Sequence, residues 1–157
     1  MRPADRLKLN VEPALHNRVA DGDDMRFVEI DIVINIGAIR DRKLEYVKED
    51  IESVVNAASK KVIIKVILEN AYLTFEEKIL SCLVSKYAGA DFVKTSTGFG
   101  PSGATIKDVL LMRYIVGNKM GVKAAGGIRD RINTFKMIKA GANRIGTSSS
   151  VRIILGR

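Results

Sequence analysis

The amino-acid sequence predicts an α/β fold with a parallel β-sheet, and three observations carry this prediction. From residue 28 onward, short apolar runs alternate with amphipathic stretches, in the order strand, helix, strand, helix. The apolar runs are nearly continuous in Val and Ile, as expected for parallel strands that are covered on both faces. Polar residues interrupt the runs at a regular spacing, because Asp31, Lys65, Lys94 and Lys123 stand 34, 29 and 29 residues apart. The spacing indicates a repeated βα unit.

Five strands and a first helix follow from these patterns. The helix is predicted over 44–58, because its apolar residues recur at intervals of three and four and so form one buried stripe. The strands are predicted within the runs VEIDIVINIG (28–37), KVIIKVILEN (61–70), ADFVKTSTG (90–98), GVKAAGGI (121–128) and NRIGTSS (143–149).

Capping signals mark the next two helices. Thr74 with Glu77 three residues later forms a capping box, and the helix that it begins ends near Gly89. Thr105 with Asp108 begins the third helix in the same manner. The side chains that we expect to face inward from the second helix are Ile79, Leu80, Leu83 and Val84.

The two ends of the chain are less regular. Either Asp130 or Asn133 is expected to begin a fourth helix that ends at Gly141, and a fifth short helix is expected at 149–155. Residues 1–27 show neither a clean strand nor a sustained helical stripe, so we expect an atypical lead-in that is helical or poorly ordered. We therefore divide the chain into this lead-in and one domain over 28–157.

Composition excludes several classes of protein. The chain has 157 residues, 46% of them hydrophobic and 28% charged, which is ordinary for a single globular domain. It contains no apolar run of eighteen residues and no secretory signal, so we expect a cytoplasmic protein without a membrane segment. Cys82 falls between Leu80 and Leu83 in a helical pattern and is expected to be a buried small side chain rather than a nucleophile.

The formal net charge of +8 allows two kinds of partner. One is a polyanion such as nucleic acid, and the other is a small phosphorylated substrate. Lys and Arg are scattered along the helices, and the chain has nine Phe and Tyr residues in all and no Trp for stacking on bases. The distribution therefore favours the small substrate, with a solvated basic surface as the ordinary alternative.

The polar residues inside the apolar runs are the candidate functional groups. A single buried lysine usually reaches the surface with its ammonium or joins a structural ion pair. Three lysines and an aspartate on consecutive parallel strands are instead expected to meet. A lysine in an apolar site beside a second cation loses its proton more easily, and the free amine attacks carbonyls. A nearby carboxylate then moves protons.

Two glycine-containing loops are candidate phosphate sites. Ala125-Gly126-Gly127 follows the fourth strand, and Gly146-Thr147-Ser148-Ser149 follows the fifth. Glycine lets backbone N–H groups approach an anion, and the last two strands of a (β/α)8 barrel often bind phosphate. Each loop alone is also compatible with a plain strand-to-helix turn.

The strand motifs resemble those of the deoxyribose-phosphate aldolase family in order and spacing. This resemblance covers about residues 28–155. It implies a (β/α)8 TIM-type barrel of which about five βα units, equivalent to the last five strands, are present. The motifs are EIDIVINIG (29–37), KVILEN (65–70), GADFVKTSTGF (89–99), VKAAGGIR (122–129) and RIGTSS (144–149).

The resemblance implies a class I aldolase of deoxyribonucleotide catabolism, which needs no metal or organic cofactor. Such an enzyme reversibly cleaves 2-deoxy-D-ribose 5-phosphate into D-glyceraldehyde 3-phosphate and acetaldehyde. By motif, Lys94 is the Schiff-base nucleophile, Lys123 the lysine that lowers its proton affinity, and Asp31 the proton shuttle. The expected substrate and phosphate contacts are Lys65, Thr97, Gly98, Gly126, Gly127, Ser148 and Ser149.

The amino terminus departs from the family, because three strands with their helices precede the EIDIVIN strand in the family and nothing in 1–27 resembles them. We therefore expect an amino-terminally truncated barrel with two unpaired sheet edges, which favours a homo-oligomer. Two hypotheses follow. The chain is either an aldolase or a non-catalytic remnant of the same family.

Overall fold

The computed structural model describes residues 28–58 and 62–156. They form one sheet of five parallel strands in the order β1-β2-β3-β4-β5, with helices between them, which is a half-barrel of the TIM type. The predicted lead-in at 1–27 lies outside the described residues. The five predicted strands are confirmed, with the bounds β1 Val28–Val33, β2 Val62–Ile67, β3 Phe92–Lys94, β4 Gly121–Ala125 and β5 Arg144–Gly146.

Six α-helices lie in the described ranges, and one of them was not predicted. The unpredicted helix is α1, which begins shortly after β1. Its N-cap is Asn35, whose side chain accepts a hydrogen bond from the Ala38 N–H at 3.1 Å. None of the helices in these ranges is long and apolar enough to cross a membrane. The helices are α1 Ile36–Arg40, α2 Leu44–Ala57, α3 Phe75–Tyr87, α4 Ile106–Val116, α5 Arg131–Lys139 and α6 Ser150–Leu155, with a 3-10 helix at Asn70–Tyr72.

The predicted helix caps are present. Thr74 and Glu77 form both hydrogen bonds of a capping box at the start of α3. Thr105 accepts a hydrogen bond from the Asp108 N–H at 3.0 Å. Asp130, rather than Asn133, caps α5, since its carboxylate accepts the Asn133 N–H at 2.8 Å. These caps fix the residue at which each of the three helices begins.

The buried face of α3 agrees with the prediction at Val84 but differs from it at the two leucines. Its fully buried residues include Ser81, Cys82 and Ser85, whereas Leu80 and Leu83 are only partly buried and line a surface groove beside α2. Small side chains let α3 pack closely, and the Ser85 hydroxyl is satisfied because it donates to the Ser81 carbonyl at 2.7 Å. The buried position of Cys82 is confirmed, and burial raises the pKa of its thiol to about 12, so the thiolate is not available near neutral pH.

The strand register separates an apolar outer face from a polar inner face. Val66, Val93 and Val122 are paired across β2, β3 and β4 and pack under the helices with no exposed surface. Successive side chains of a strand point to opposite faces. The residues on either side of these valines, including Lys65, Lys94 and Lys123, therefore share the inner face.

At the amino-terminal end of the inner face, a glycine makes room for an aromatic ring. A Cβ placed on Gly121 would lie 2.1 Å from Cε1 of Phe92, which is its partner in the β3–β4 register. Phe92 in turn lies under the guanidinium of Arg144, at 4.5 Å from its ring centroid. This contact supports the polar cluster above it.

We predict that Gly121→Ala lowers the free energy of unfolding by about 1–3 kcal/mol, because the ring of Phe92 has to move. Urea denaturation measures the change. Gly37→Ala is the matched control, since a Cβ there meets nothing closer than 3.6 Å and we expect little effect. In a Phe92→Leu background, which lacks the ring, Gly121→Ala should lower the free energy of unfolding by less than it does in wild type. An equal decrease in both backgrounds contradicts a clash with the Phe92 ring.

Candidate active site

A chain of alternating charges crosses the inner face of the sheet. The Lys94 ammonium lies 2.7 Å from Oδ2 of Asp31, and the Lys65 ammonium lies 2.8 Å from Oδ1 of the same carboxylate. Lys65 also contacts Oε2 of Glu29 at 2.6 Å, and Glu29 pairs with Arg144. The predicted meeting of Asp31, Lys65 and Lys94 is therefore present in the structure.

Lys65 is the most deeply buried member of this cluster. Its side chain is 2% exposed and its ammonium lies between two carboxylates. Burying a charge costs several kcal/mol unless it is paired and hydrogen-bonded, and Lys65 has two anionic partners. The geometry favours a fixed ammonium at position 65 that orients Asp31 and Glu29.

The two carboxylates of the cluster remain ionised. Burial works to raise the pKa of Asp31, but hydrogen bonds and the charges of Lys65 and Lys94 outweigh it and hold that pKa below the ordinary value. The pKa of Glu29 is lowered in the same way, since Lys65 and Arg144 outweigh its burial. Both groups are therefore hydrogen-bond acceptors at neutral pH.

Lys123 stands apart from these ion pairs. It lies opposite Lys94 in the β3–β4 register, on the same face of the sheet. Its ammonium has no hydrogen-bond or ion-pair partner within the part of the chain that the structure describes. Burial first, and then the positive charge of Lys94, lower the pKa of Lys123. Lys123 therefore loses its proton at a lower pH than an ordinary lysine does.

Two members of the cluster were not predicted from the sequence. Glu29 lies two residues before Asp31 and shares its face, so the two-residue period of a strand would have identified it. Arg144 lies opposite Lys123 in the β4–β5 register. It reaches Glu29 across the open side of the half-barrel, from one edge strand to the other.

The loop after β3 carries Thr97 and Gly98 and is anchored at two points. The Thr95 hydroxyl donates to the Ala125 carbonyl and accepts the Ala125 N–H, both at 3.0 Å, which extends the contact between β3 and β4. Oε2 of Glu69, the second residue after β2, accepts the Thr97 N–H at 3.1 Å and also the Thr97 hydroxyl. The structure places Thr97 in a hydrogen-bonded loop beside Lys94, and Glu69 is a residue that the sequence did not single out.

The predicted phosphate loops lie side by side. The Thr147 hydroxyl donates to the Ile128 carbonyl at 2.6 Å and so joins the loop after β5 to the loop after β4. Gly126 and Gly127 both have positive φ angles, 89° and 74°, which favour glycine. A Cβ on Gly103 would lie 2.2 Å from the Gly126 carbonyl oxygen, so the chain passes closely there.

The two predicted serines lie at the start of the last helix. Ser148 is exposed and precedes Ser149, the N-cap residue of α6. The Ser149 N–H donates to the Thr147 hydroxyl at 2.9 Å, and the Ser149 side chain makes no capping bond. Both hydroxyls stay available to a ligand. For metals, no group of three or more His, Cys, Asp or Glu side chains with suitable placement occurs in 28–58 or 62–156.

We predict that Lys123→Met raises Tm near neutral pH by roughly 2–4 °C, the shift that about 1 kcal/mol produces in a chain of this size. Below its lowered pKa, Lys123 is charged in both the folded and the unfolded chain. Only in the folded chain is this charge destabilised, by burial and by the charge of Lys94. Since the unfolded lysine titrates near 10.5, wild-type stability rises with pH between the lowered pKa and that value.

Thermal melts of both proteins from pH 6 to pH 10 measure this effect. The difference in Tm between Lys123→Met and wild type should shrink as the pH rises. Lys119→Met, which replaces an exposed lysine, is the control and should follow wild type. A constant difference across the range contradicts a destabilised ammonium at position 123.

Comparisons with known proteins identify the class of protein that this fold and site define. No family model matches the chain. It is 42% identical to a solved structure described as an aldolase, QR15, with a TM-score of 0.75 over 80% of this chain and 56% of that one. The half-barrel with its inner cluster of lysines thus has the fold of one part of that aldolase, which is a partial TIM barrel.

Curated relatives narrow the class to one family. Deoxyribose-phosphate aldolase of Thermococcus gammatolerans is 61% identical over 137 residues, which are 87% of this chain and 59% of the relative. The Clostridium tetani enzyme is 58% identical over 126 residues, covering 80% and 58%. The solved tetrameric deoxyribose phosphate aldolase of Aeropyrum pernix is 35% identical with a TM-score of 0.73, covering 82% and 54%. The chain belongs to the deoxyribose-phosphate aldolase family, and it spans about three fifths of the length of these curated relatives.

Proposed function

We propose that this chain acts as a class I aldolase on 2-deoxy-D-ribose 5-phosphate, which it cleaves reversibly to D-glyceraldehyde 3-phosphate and acetaldehyde. The observation that carries the proposal is the register of Lys94 opposite Lys123 on one face, with the Asp31 carboxylate 2.7 Å from the Lys94 ammonium. These groups supply an amine, a proton acceptor and a proton shuttle within one cluster.

In this mechanism, the uncharged Lys94 amine attacks the C1 aldehyde carbon of the open-chain sugar. The resulting carbinolamine loses water and becomes an iminium ion. Deprotonation of the C3 hydroxyl then breaks the C2–C3 bond, whose electron pair is taken up by the iminium to give an enamine and release glyceraldehyde 3-phosphate. Protonation of the enamine and addition of water release acetaldehyde and restore the amine. Asp31 exchanges the protons through water.

The position of Lys123 explains how Lys94 becomes uncharged. Lys94 is paired with Asp31, whereas Lys123 has a lowered pKa and lies beside it. In its neutral form, Lys123 is a proton acceptor that lies opposite Lys94 in the β3–β4 register. Transfer of a proton from Lys94 to Lys123 then frees the nucleophile. Lys123 therefore has two roles in two protonation states: when charged, it disfavours a second positive charge at Lys94, and when neutral, it accepts the proton from Lys94.

The remaining predicted residues have binding roles in this proposal. Thr97 and Gly98 contact the sugar, and Lys65 holds Asp31 in place. The pairs Gly126 with Gly127 and Ser148 with Ser149 bind the phosphate from two adjoining loops. In this proposal, the net charge of +8 attracts a small phosphorylated substrate rather than a nucleic acid. Operation in the cytoplasm without a metal or an organic cofactor stays a prediction.

We predict that acetaldehyde with borohydride labels Lys94, because reduction traps the iminium as a stable ethyl amine. Mass spectrometry of tryptic peptides locates the added group. Lys94→Arg should abolish the label, since a guanidinium does not become a free amine. Lys123→Met should reduce labelling at pH 7 at least about tenfold, because the proton acceptor is lost.

Lys139→Arg is the matched control, since Lys139 is exposed on α5 and should not affect labelling. The same assay carried out with deoxyribose 5-phosphate and coupled detection of glyceraldehyde 3-phosphate measures turnover. A folded wild-type chain that leaves Lys94 unmodified under these conditions would support the non-catalytic remnant instead.

We also infer that the chain forms a homo-oligomer through the outer face of α4. Ile106, Leu110 and Tyr114 recur every fourth residue and form an apolar stripe in which Tyr114 is 87% exposed. Contiguous exposed apolar stripes are typical of protein–protein interfaces. The Aeropyrum pernix relative is described as tetrameric, which supports the inference.

We predict that Leu110→Glu lowers the mass measured by light scattering toward that of one 17.3 kDa chain, because it places a charge in the apolar stripe. Circular dichroism checks that the helices persist. Lys119→Glu changes charge outside α4 and should leave the mass unchanged. An unchanged mass for Leu110→Glu shows that another surface holds the chains together or that the wild type is already monomeric.

A further inference from the structure

We propose that Glu69 is a positioning residue that holds the β3–α4 loop, with Thr97 and Gly98, in the conformation that binds the phosphorylated sugar. The proposal rests on the function proposed above and adds a residue to its machinery. It starts from a glutamate that is 4% exposed at the carboxyl end of β2, where the inner face opens.

The backbone of Glu69 is in an uncommon conformation. Its φ and ψ angles are 39° and 63°, in the left-handed region that residues other than glycine, asparagine and aspartate seldom adopt. Such a conformation persists only where surrounding contacts fix it, and it often occurs at binding sites. Neighbouring backbone bonds provide these contacts, since Leu68 N–H donates to the Lys94 carbonyl and Asn70 N–H to the Thr95 carbonyl, both at 2.9 Å.

The left-handed turn directs the carboxylate of Glu69 at the loop. Oε2 accepts both the backbone N–H and the hydroxyl of Thr97, and the Thr97 oxygen in turn accepts the Phe99 N–H at 3.1 Å. The hydroxyl proton of Thr97 is therefore committed to Glu69, which fixes the rotamer of a predicted substrate contact. Hydrogen bonds to a charged acceptor are about twice as strong as neutral ones.

Gly100 makes the close approach possible. A Cβ at this position would lie 2.7 Å from Oε1 of Glu69, so the loop passes over the carboxylate only because residue 100 is glycine. Oε1 is buried and has no hydrogen-bond partner among the described residues. The carboxylate is thus held through Oε2 alone, and its hydrogen bonds to Thr97 carry the connection between β2 and the loop.

The effect on function follows from the place of the loop in the chain. Thr97 is three residues beyond Lys94, but within the described ranges the Glu69 side chain makes no hydrogen bond or ion pair with the lysine cluster, whose ion pairs involve Asp31, Glu29 and Arg144. Loss of the Glu69 carboxylate should therefore loosen substrate binding and leave the amine of Lys94 competent. A residue that mattered only for folding would affect both.

The experiment compares Glu69→Leu, which removes the acceptor at similar volume, with Glu69→Gln, which keeps one oxygen. Hydrogen exchange of residues 95–103 is measured by mass spectrometry on the full chain. We expect exchange about tenfold faster in Glu69→Leu, the factor that corresponds to loss of one hydrogen bond, and a smaller increase in Glu69→Gln. Glu49→Gln, which changes an exposed glutamate on α2, is the control and should exchange like wild type.

Kinetics separate positioning from a general loss of structure. For Glu69→Leu we expect KM for deoxyribose 5-phosphate to rise about tenfold with kcat within about threefold, and acetaldehyde labelling of Lys94 within about twofold of wild type. Glu69→Gln should restore most of the affinity. If Glu69→Leu does not fold, Glu69→Gln is compared with wild type. We then expect both the hydrogen-exchange rate over 95–103 and KM to increase about threefold.

Several outcomes overturn the proposal. Unchanged exchange over 95–103 shows that Glu69 does not hold the loop, and loss of Lys94 labelling in a folded variant shows that it acts on the nucleophile instead. An increase in KM without faster exchange would mean that Glu69 contacts the substrate itself. If wild type shows neither labelling nor turnover, the proposed function fails, and the exchange result still decides whether Glu69 positions the loop.

Discussion

The carboxylate of Asp31 is the interaction on which the inner face of this sheet depends. It accepts the ammonium of Lys94 with one oxygen and that of Lys65 with the other, and so joins three strands. Without an anion between them, lysines on consecutive parallel strands would repel one another in a poorly solvated space. Glu29 and Arg144 extend the same alternation of charge. A sheet rich in Val and Ile can therefore carry several charges on one face.

This alternation also distinguishes the lysines from one another. Lys65 has two carboxylate partners, Lys94 has one, and Lys123 has none among the described residues. The lowered pKa falls on Lys123, although the sequence motif assigns nucleophilic attack to Lys94. The two assignments are compatible if neutral Lys123 accepts the proton of Lys94 when Lys94 reacts.

The sequence was sufficient for most elements whose signals are local, although helix α1 with its Asn35 cap was missed. Strand cores follow from continuous apolar runs, and the α3 and α4 starts follow from Thr74 and Thr105, because a cap involves residues three positions apart. The meeting of Asp31, Lys65 and Lys94 and the place of Lys123 on the same face were also predictable, since a repeated βα unit and the two-residue period put all four residues on one face.

Other features that sequence reasoning missed depend on tertiary geometry. Arg144 meets Glu29 over a separation of 115 residues, and that contact requires the curvature of the sheet. The left-handed backbone of Glu69 has no signal in residue type, because glutamate rarely adopts it. On α3, hydrophobicity favoured Leu80 and Leu83 as the buried face, whereas close packing selected the smaller Ser81 and Ser85. In each case a long-range contact overrode a local preference.

The half-barrel already contains the groups that the proposed chemistry needs, but it encloses them incompletely. Val28 and Val33 on β1 are 49% and 52% exposed, so one edge of the sheet is open to solvent. Burial is the largest cause of the lowered pKa of Lys123. Any chain segment or second copy that covers this edge would exclude water from the inner face and lower that pKa further, because desolvation disfavours the charged form. Enclosure therefore acts on the same proton equilibrium that the cluster of lysines establishes, and in the same direction.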